Sequence, residues 1–368
     1  EYVQRLVERV KNHPGIQLFM ETEVKETSGI LGNFTTTLVP QSGKGSPVTV
    51  DHGTTIIATG GQEYRPSEYL YGKHPGVLTH LDLDEAVLRG DVRVKKAQTA
   101  VFIQCVGSRI PERPYCSKIC CTHSLESALK LKELNPDMNV FILYRDVRSY
   151  GFREDLYREA RKKGVLFVRY ELDRLPELNL GDGGSLSLKV IDHVLGRPIQ
   201  IAPDLVILAT AILPTENKKL FELFKVPVNK EGFLIEAHAK LRPVDFASEG
   251  IFMAGLAHYP KPIDESITQA KAAVARAMTI LSKEGIFVGG VVASVNPDKC
   301  AACLTCVRTC PYGAPSIGEE GYAIIDPASC RGCGACVAEC PGKAIALKHF
   351  TDEQILAKTD ALFQAEGA

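Results

Sequence analysis

A doubled run of cysteines near the C-terminus limits what this chain can fold into more than any other feature. It reads Cys300-Ala-Ala-Cys303-Leu-Thr-Cys306-Val-Arg-Thr-Cys310-Pro311 and repeats as Cys330-Arg-Gly-Cys333-Gly-Ala-Cys336-Val-Ala-Glu-Cys340-Pro341. Three thiolates separated by two residues wrap a tight turn around one cubane, and a fourth must arrive from a distance to close the cage. Thiolate is the soft ligand that iron–sulfur clusters select. In the bacterial two-cluster pattern, the fourth cysteine of each run ligates the other cluster. The spacing therefore predicts one [4Fe–4S] cluster on Cys300, Cys303, Cys306 and Cys340, and a second on Cys330, Cys333, Cys336 and Cys310. Pro311 and Pro341 end the binding loops, while Gly332 and Gly334 let backbone N–H groups approach cluster sulfur. Paired C-x-x-C elements also serve structural zinc, but two full runs, each closed by proline, favour clusters.

The twelve cysteines fall in two groups, four between positions 105 and 121 and eight between 300 and 340. Such clustering is unlike a disulfide framework and reads as metal binding in a reducing, cytoplasmic compartment. The 368 residues, 45% of them hydrophobic, suffice for two or three domains with proper cores. A formal net charge of -1 argues against a nucleic-acid partner, which would demand a basic surplus. The apolar stretch from Gly285 to Val295 is too short to cross a bilayer, so no transmembrane segment is expected. No secretory signal is visible. The sequence opens on Glu1 in mid-pattern, so a fragment of a longer chain is expected.

Periodicity predicts a helix over Tyr2 to His13, then short β segments at Ile16 to Met20, Glu23 to Thr27, Asn33 to Val39, Val48 to Asp51 and Thr54 to Thr59. Residues 62 to 97 read as a connector with a short helix from Leu81 to Leu88. Strands at Ala100 to Gln104, Asn139 to Tyr144, Val165 to Tyr170 and Leu205 to Thr210 alternate with helices at Lys118 to Leu134 and Asp155 to Lys163. Strand–helix alternation predicts an α/β, mostly parallel, doubly wound sheet. A short strand at Gly250 to Gly255 precedes a long helix from Asp264 to Leu281. Thr351 caps a terminal helix to Gln364, expected to pack against a neighbour.

The other four cysteines, Cys105, Cys116, Cys120 and Cys121, follow a buried-type strand in QCVGSRIPERPYCSKICCTHS. A dinucleotide-binding unit would carry G-x-G-x-x-G at this turn, to cradle a pyrophosphate. Here a bulky Arg-Pro-Glu-Arg-Pro insertion replaces it, which argues against a nicotinamide cofactor. Cys116 and Cys120 are expected on one helix face at i, i+4 spacing. The helix N-terminus and Arg109, Arg113 and Lys118 are expected to favour thiolates. Four thiols suit a third [4Fe–4S] cluster; a redox disulfide, a zinc site and buried thiols are the alternatives.

ATGG at Ala58 to Gly61 and GIFMAG before a helix carrying Ser266 and Gln269 together resemble the thioredoxin-reductase-like flavoprotein fold. With QCVGSR…YCSKICC, GIFMAGLAHYPKPIDESITQA and the ferredoxin pair followed by FTDEQILAK, the chain looks like the A subunit of heterodisulfide reductase. That resemblance implies cytoplasmic FAD and iron–sulfur proteins of methanogens and other anaerobes. It places a cluster on the Cys105 group and FAD near Ala58, Thr59, Gly60, Gly255, Ser266 and Gln269. The backbone at Glu23 and Val24 would lie by the adenine, and Lys261 is either a flavin contact or a solvated loop residue. The family's first, Gly-rich FAD turn would lie upstream of Glu1.

The resemblance implies flavin exchanging electron pairs with a partner and passing them singly to the clusters. The implied partners are B- and C-like subunits, a hydrogenase- or dehydrogenase-linked donor and ferredoxin; a homodimer is compatible with it. Bifurcating members carry Lys five residues after the CC pair, where this chain has Glu126, so plain relay is expected. The alternatives are an NAD(P)H-dependent flavin reductase with fused ferredoxin and a thiol–disulfide oxidoreductase using Cys116 and Cys120. The expected organisation is residues 1–97 and 216–284 in the FAD domain and 98–215 in a nucleotide-binding-like domain carrying the Cys105 group. Residues 285–348 form an α+β 2[4Fe–4S] ferredoxin domain, and 349–368 a C-terminal helix.

Overall fold

A computed structural model describes residues 2–285 and 290–364. Its central sheet has five parallel strands in the order Val77–Thr79, Leu205–Thr210, Thr99–Val106, Asn139–Tyr144, Leu166–Arg169. Every residue of the Leu205–Thr210 strand is buried, as expected of a parallel sheet covered on both faces. One face carries helices His80–Arg89, Cys120–Leu134 and Glu154–Lys162, packed through Leu83, Phe102, Leu125, Leu131 and Ile207. The other face packs on a three-stranded antiparallel sheet of Glu177–Leu180, Leu186–Asp192 and Arg197–Ile201. Sequence alternation did not reveal that second layer. The connector also contributes an edge strand, Val77–Thr79, whose partner lies more than a hundred residues downstream.

Beside this unit, Thr22–Ile30, Asn33–Pro40 and Val48–His52 form an antiparallel meander. Strand Thr55–Ile57 lies parallel to Ile251–Met253, so the two flavin-like half-motifs become neighbours. Phe34, Ile57, Phe221, Phe246 and Met253 share a core there, with Val24 against it. Helix Ile263–Leu281 follows and buries Ala273 and Ala277. Asp245, 2% exposed, ties this helix to the preceding loop through Arg276, at 3.0 and 3.1 Å.

Two expectations fail, and a third lies partly outside the described residues. Ile16 to Met20 is not a strand: it runs without regular structure, with Ile16, Leu18 and Met20 exposed, and no strand among the described residues pairs with its backbone. The helix Asp352–Gln364 is capped by Thr351 through a reciprocal Gln354 contact, but it buries nothing. Part of the expected Gly285–Val295 link, residues 286–289, lies outside the described residues. No helix among the described residues is long and apolar enough to cross a membrane.

Candidate functional site

The C-terminal module brings its cysteines together as the crossed pattern demands. One small cavity is lined by Cys300, Cys303, Cys306 and Cys340, and another by Cys310, Cys330, Cys333 and Cys336. Cys306 and Cys336 are buried on the short helices Thr305–Thr309 and Ala335–Ala338, while Cys303 and Cys333 are exposed. Backbone N–H groups already donate to sulfur: Ala323 to Cys300 at 3.4 Å, Ala293 to Cys330 at 3.4 Å and Ala344 to Cys340 at 3.3 Å. Such bonds stabilise thiolate. The left-handed backbone at Gly332 and Gly334 recurs at Ala302 and Leu304 of the first run, so the loop geometry does not depend on glycine alone. At Gly332 the demand is stricter, because a Cβ would lie 2.5 Å from the Val291 carbonyl oxygen. Among the described residues, no three His, Cys, Asp or Glu side chains converge closely enough to hold a single metal ion.

The module rests on the α/β body through Arg331, inside the second binding loop, whose guanidinium pairs with Glu249 at 2.7 Å. A cavity of about 360 Å³ separates the two parts there, lined in part by Thr27, Phe34, Lys225, Tyr312 and Arg331.

Cys105 leaves the central strand in the left-handed conformation, at φ 61°. It stands at the C-terminal edge of the sheet, where strand order reverses between Thr99–Val106 and Leu205–Thr210. Open α/β sheets bind ligands at such switch points. Cys105, Cys120 and Cys121 are buried and Cys116 half-buried. The helix begins at Cys120, not at Lys118, and Lys118 is itself left-handed at φ 59°. Cys116 therefore lies in the preceding loop, and the expected shared helix face with Cys120 is wrong. Its sulfur accepts the Lys118 backbone N–H at 3.3 Å.

The expected cationic set also changes. Arg113 turns away from the thiols, bonding the Gly107 carbonyl and covering the Tyr64 ring at 4.6 Å. Lys118 pairs with Glu265 at 3.8 Å. Arg109 stays beside Cys105 at 3.9 Å, and Arg145 and Arg148, which sequence reasoning missed, join it. They arrive from the end of the Asn139–Tyr144 strand, so only sheet order brings them near. Burial pushes the Cys105 thiol up, with the Arg145 and Arg109 charges pulling against it. Cys120 is raised by its hydrogen bond with Cys121 and by burial. Cys121 is lowered, first by that bond and then by the Arg148 backbone N–H and charge.

Three buried polar atoms around these thiols lack a partner: Gln104 Oε1, Ser108 Oγ and Arg145 Nε. Two of them, the Ser108 hydroxyl and the Arg145 Nε–H, are donors without an acceptor on residues beside the thiols, which fits an anionic group such as a thiolate-held cluster. The turn fits a pyrophosphate poorly. A Cβ at Gly107 would stand 2.4 Å from Tyr64 Cδ1, so the tyrosine ring already fills the approach that a phosphate would use.

The flavin-like corner meets these thiols. An open cavity of about 530 Å³ is lined by Cys116, Lys118, Arg148, Tyr150 and Tyr259. Gly60 (φ 77°) and Gly255 (φ 73°) are left-handed with open space where a Cβ would project, as a close-approaching ligand requires. Ala58 is exposed, and Thr59 and Ser266 are half-buried. Gln269 Oε1 accepts the Gly255 N–H at 2.9 Å. Lys261 is no solvated loop residue: it is 9% exposed, and its ammonium donates to the Gly255 and Tyr259 carbonyls, each at 2.7 Å. Burial and then Lys118 lower its pKa to about 8. Glu23 is exposed on its strand, and Glu126 is exposed on its helix.

Residues 299–345 match the family described as a 4Fe-4S dicluster domain. The chain is 38% identical over 331 residues to the A subunit of the H(2):CoB-CoM heterodisulfide,ferredoxin reductase of Methanothermobacter thermautotrophicus, covering 85% of this chain and 50% of that protein. It is 37% identical over 336 residues to the iron-sulfur A subunit of the CoB--CoM heterodisulfide reductase of Methanocaldococcus jannaschii, with 85% and 50% covered. A protein of Archaeoglobus profundus described as like the heterodisulfide reductase A subunit is 35% identical over 367 residues, with 88% and 51% covered. Among solved structures, T. acidophilum thioredoxin reductase aligns with 76% of this chain and 78% of its own, at 14% identity and TM-score 0.48. The chain spans about half the length of the curated relatives it matches. Over that shared span, the chain is similar to heterodisulfide reductase A subunits.

Proposed function

We propose that this chain is the flavin- and iron–sulfur-bearing electron-transfer part of a cytoplasmic heterodisulfide-reductase-type complex. The observation that carries the reading is the shared cavity, in which Cys116 and Lys118 of the four-thiol site face Tyr259 of the flavin-like corner. When bound, flavin supplies the change between two-electron and one-electron transfer, and the clusters supply one-electron conduction.

In this reading Cys105, Cys116, Cys120 and Cys121 hold one cluster. Cys300, Cys303, Cys306 and Cys340 hold a second, and Cys310, Cys330, Cys333 and Cys336 a third. Ala58, Thr59, Gly60 and Gly255 admit the flavin closely, with Ser266 at the helix start beside it and Glu23 and Val24 towards its adenine. Gln269 and Lys261 act from behind, holding the Gly255 turn by its N–H and carbonyl. Buried Cys306 and Cys336 keep water from the inner face of each cluster, while exposed Cys303 and Cys333 offer edges to docking proteins.

In the same reading residues 1–97 and 216–284 belong to the flavin side, 98–215 to the Cys105-bearing domain and 285–348 to the ferredoxin domain, and a terminal helix follows from 349, its expected end at 365–368 lying outside the described residues. The partners in this reading are B- and C-like subunits, a hydrogenase- or dehydrogenase-linked donor and ferredoxin. An anaerobic count of iron, sulfide and flavin on the natively isolated protein tests it. About twelve irons with one flavin in the span covered by this chain is the expected result, and about eight removes the Cys105 cluster.

A further inference from the structure

We infer that Arg145 and Arg109 are positioning residues that raise the reduction potential of the cluster proposed at Cys105, Cys116, Cys120 and Cys121. The inference rests on the cluster reading above and adds what sets the electron affinity of that site.

Arg145 is 8% exposed, an unusual location for a guanidinium. Two of its nitrogens are committed, Nη1 to the Arg109 carbonyl at 2.8 Å and Nη2 to the Ser108 carbonyl at 2.9 Å. These bonds fix the plane of the fork, because guanidinium is rigid. Its Nε is left buried and without a partner, and the guanidinium charge acts on the neighbouring Cys105 thiol. Arg109 also reaches Cys105, with Nη1 at 3.9 Å from its Sγ and Nη2 bonded to Asp146 at 2.6 Å.

The local charge does not balance among the described residues. Arg109, Arg145 and Arg148 surround the thiols, and the one carboxylate there that pairs with any of them is Asp146, which meets Arg109 and Arg148. A buried guanidinium beside an unbonded Ser108 hydroxyl would be costly in a site that held only neutral thiols. Four thiolates around an oxidised cubane core carry net negative charge, and one-electron reduction adds another. The arginines stabilise the reduced form more than the oxidised one, which raises the potential. Hydrogen bonds to sulfur and net charge are the general levers on such potentials. A purely structural role, stapling residues 108 and 109 to the neighbouring strand, would leave the potential unmoved.

The test is an EPR-monitored redox titration of the anaerobically isolated protein, with iron counted on the same samples. In R145Q, one cluster signal is expected to shift to lower potential, with the two ferredoxin signals unmoved and iron content at the wild-type level. R109Q should shift the same signal in the same direction, and it carries the test if R145Q loses iron. An unmoved potential in a variant that keeps about twelve irons overturns the inference while leaving the cluster reading intact. About eight irons in the wild type overturns both.

Discussion

Lys261 allows the packing of the flavin-like corner to be read from a pH profile. The residue is 9% exposed and its ammonium is bonded to two carbonyls of the Gly255 turn, yet burial and the nearby Lys118 charge lower its pKa from 10.5 to about 8. The folded state therefore binds this proton more weakly than the unfolded chain does. Below about pH 8 both states are protonated and the full penalty is present. Between about pH 8 and 10.5 the folded protein releases the proton while the unfolded chain keeps it, so stability rises with pH through this window. The full shift corresponds to about 3 kcal/mol. Solvent screening around the partly accessible corner reduces the expected gain to about 1 kcal/mol.

Lys261→Met removes the titrating group, and its loss of the two carbonyl bonds adds an offset that is the same at every pH. Anaerobic urea titrations of both proteins at pH 7.5 and 10 give the comparison. The wild type should gain about 1 kcal/mol relative to the variant between the two conditions. Equal pH dependence in the two proteins would refute the argument that Lys261 is held charged at a cost. A smaller gain in the wild type than in the variant would reverse its sign.

Two further outcomes follow from the geometry. Asp245→Ala takes away the buried partner of the half-exposed Arg276 and Arg242 and should cost about 1.5–3 kcal/mol, read as a lower urea midpoint at unchanged slope. Cys340→Ser should remove the cluster of the first run, leaving about four ferredoxin irons on Cys310, Cys330, Cys333 and Cys336. Loss confined to the cluster of its own run, followed by EPR, would contradict the crossed cavities.

The flavin-like corner was legible only in pieces. ATGG and GIFMAG are each weak alone and were joined only through a family resemblance, and the pairing of Thr55–Ile57 with Ile251–Met253 supplies the contact between them. The missed layer at 177–201 has a similar cause. Its strands are short and join the core by packing on a sheet, and sequence periodicity does not report which face another layer will cover. The misplaced helix start at Cys120 reflects backbone conformation at Lys118, which side-chain periodicity does not encode.

The ferredoxin module lies at the other extreme. Its eight ligand candidates and their crossing were readable because a cubane imposes fixed local spacing, so chemistry is written into sequence distance. The Cys105 group was readable as four thiols, but its electrostatic setting was not. Arg145 and Arg148 reach it from another strand's end, while Arg113 turns away to Tyr64. Sequence alone thus determined which atoms are available to bind iron. Tertiary structure decided which charges surround them, because Coulombic fields act through space and sheet order sets those distances.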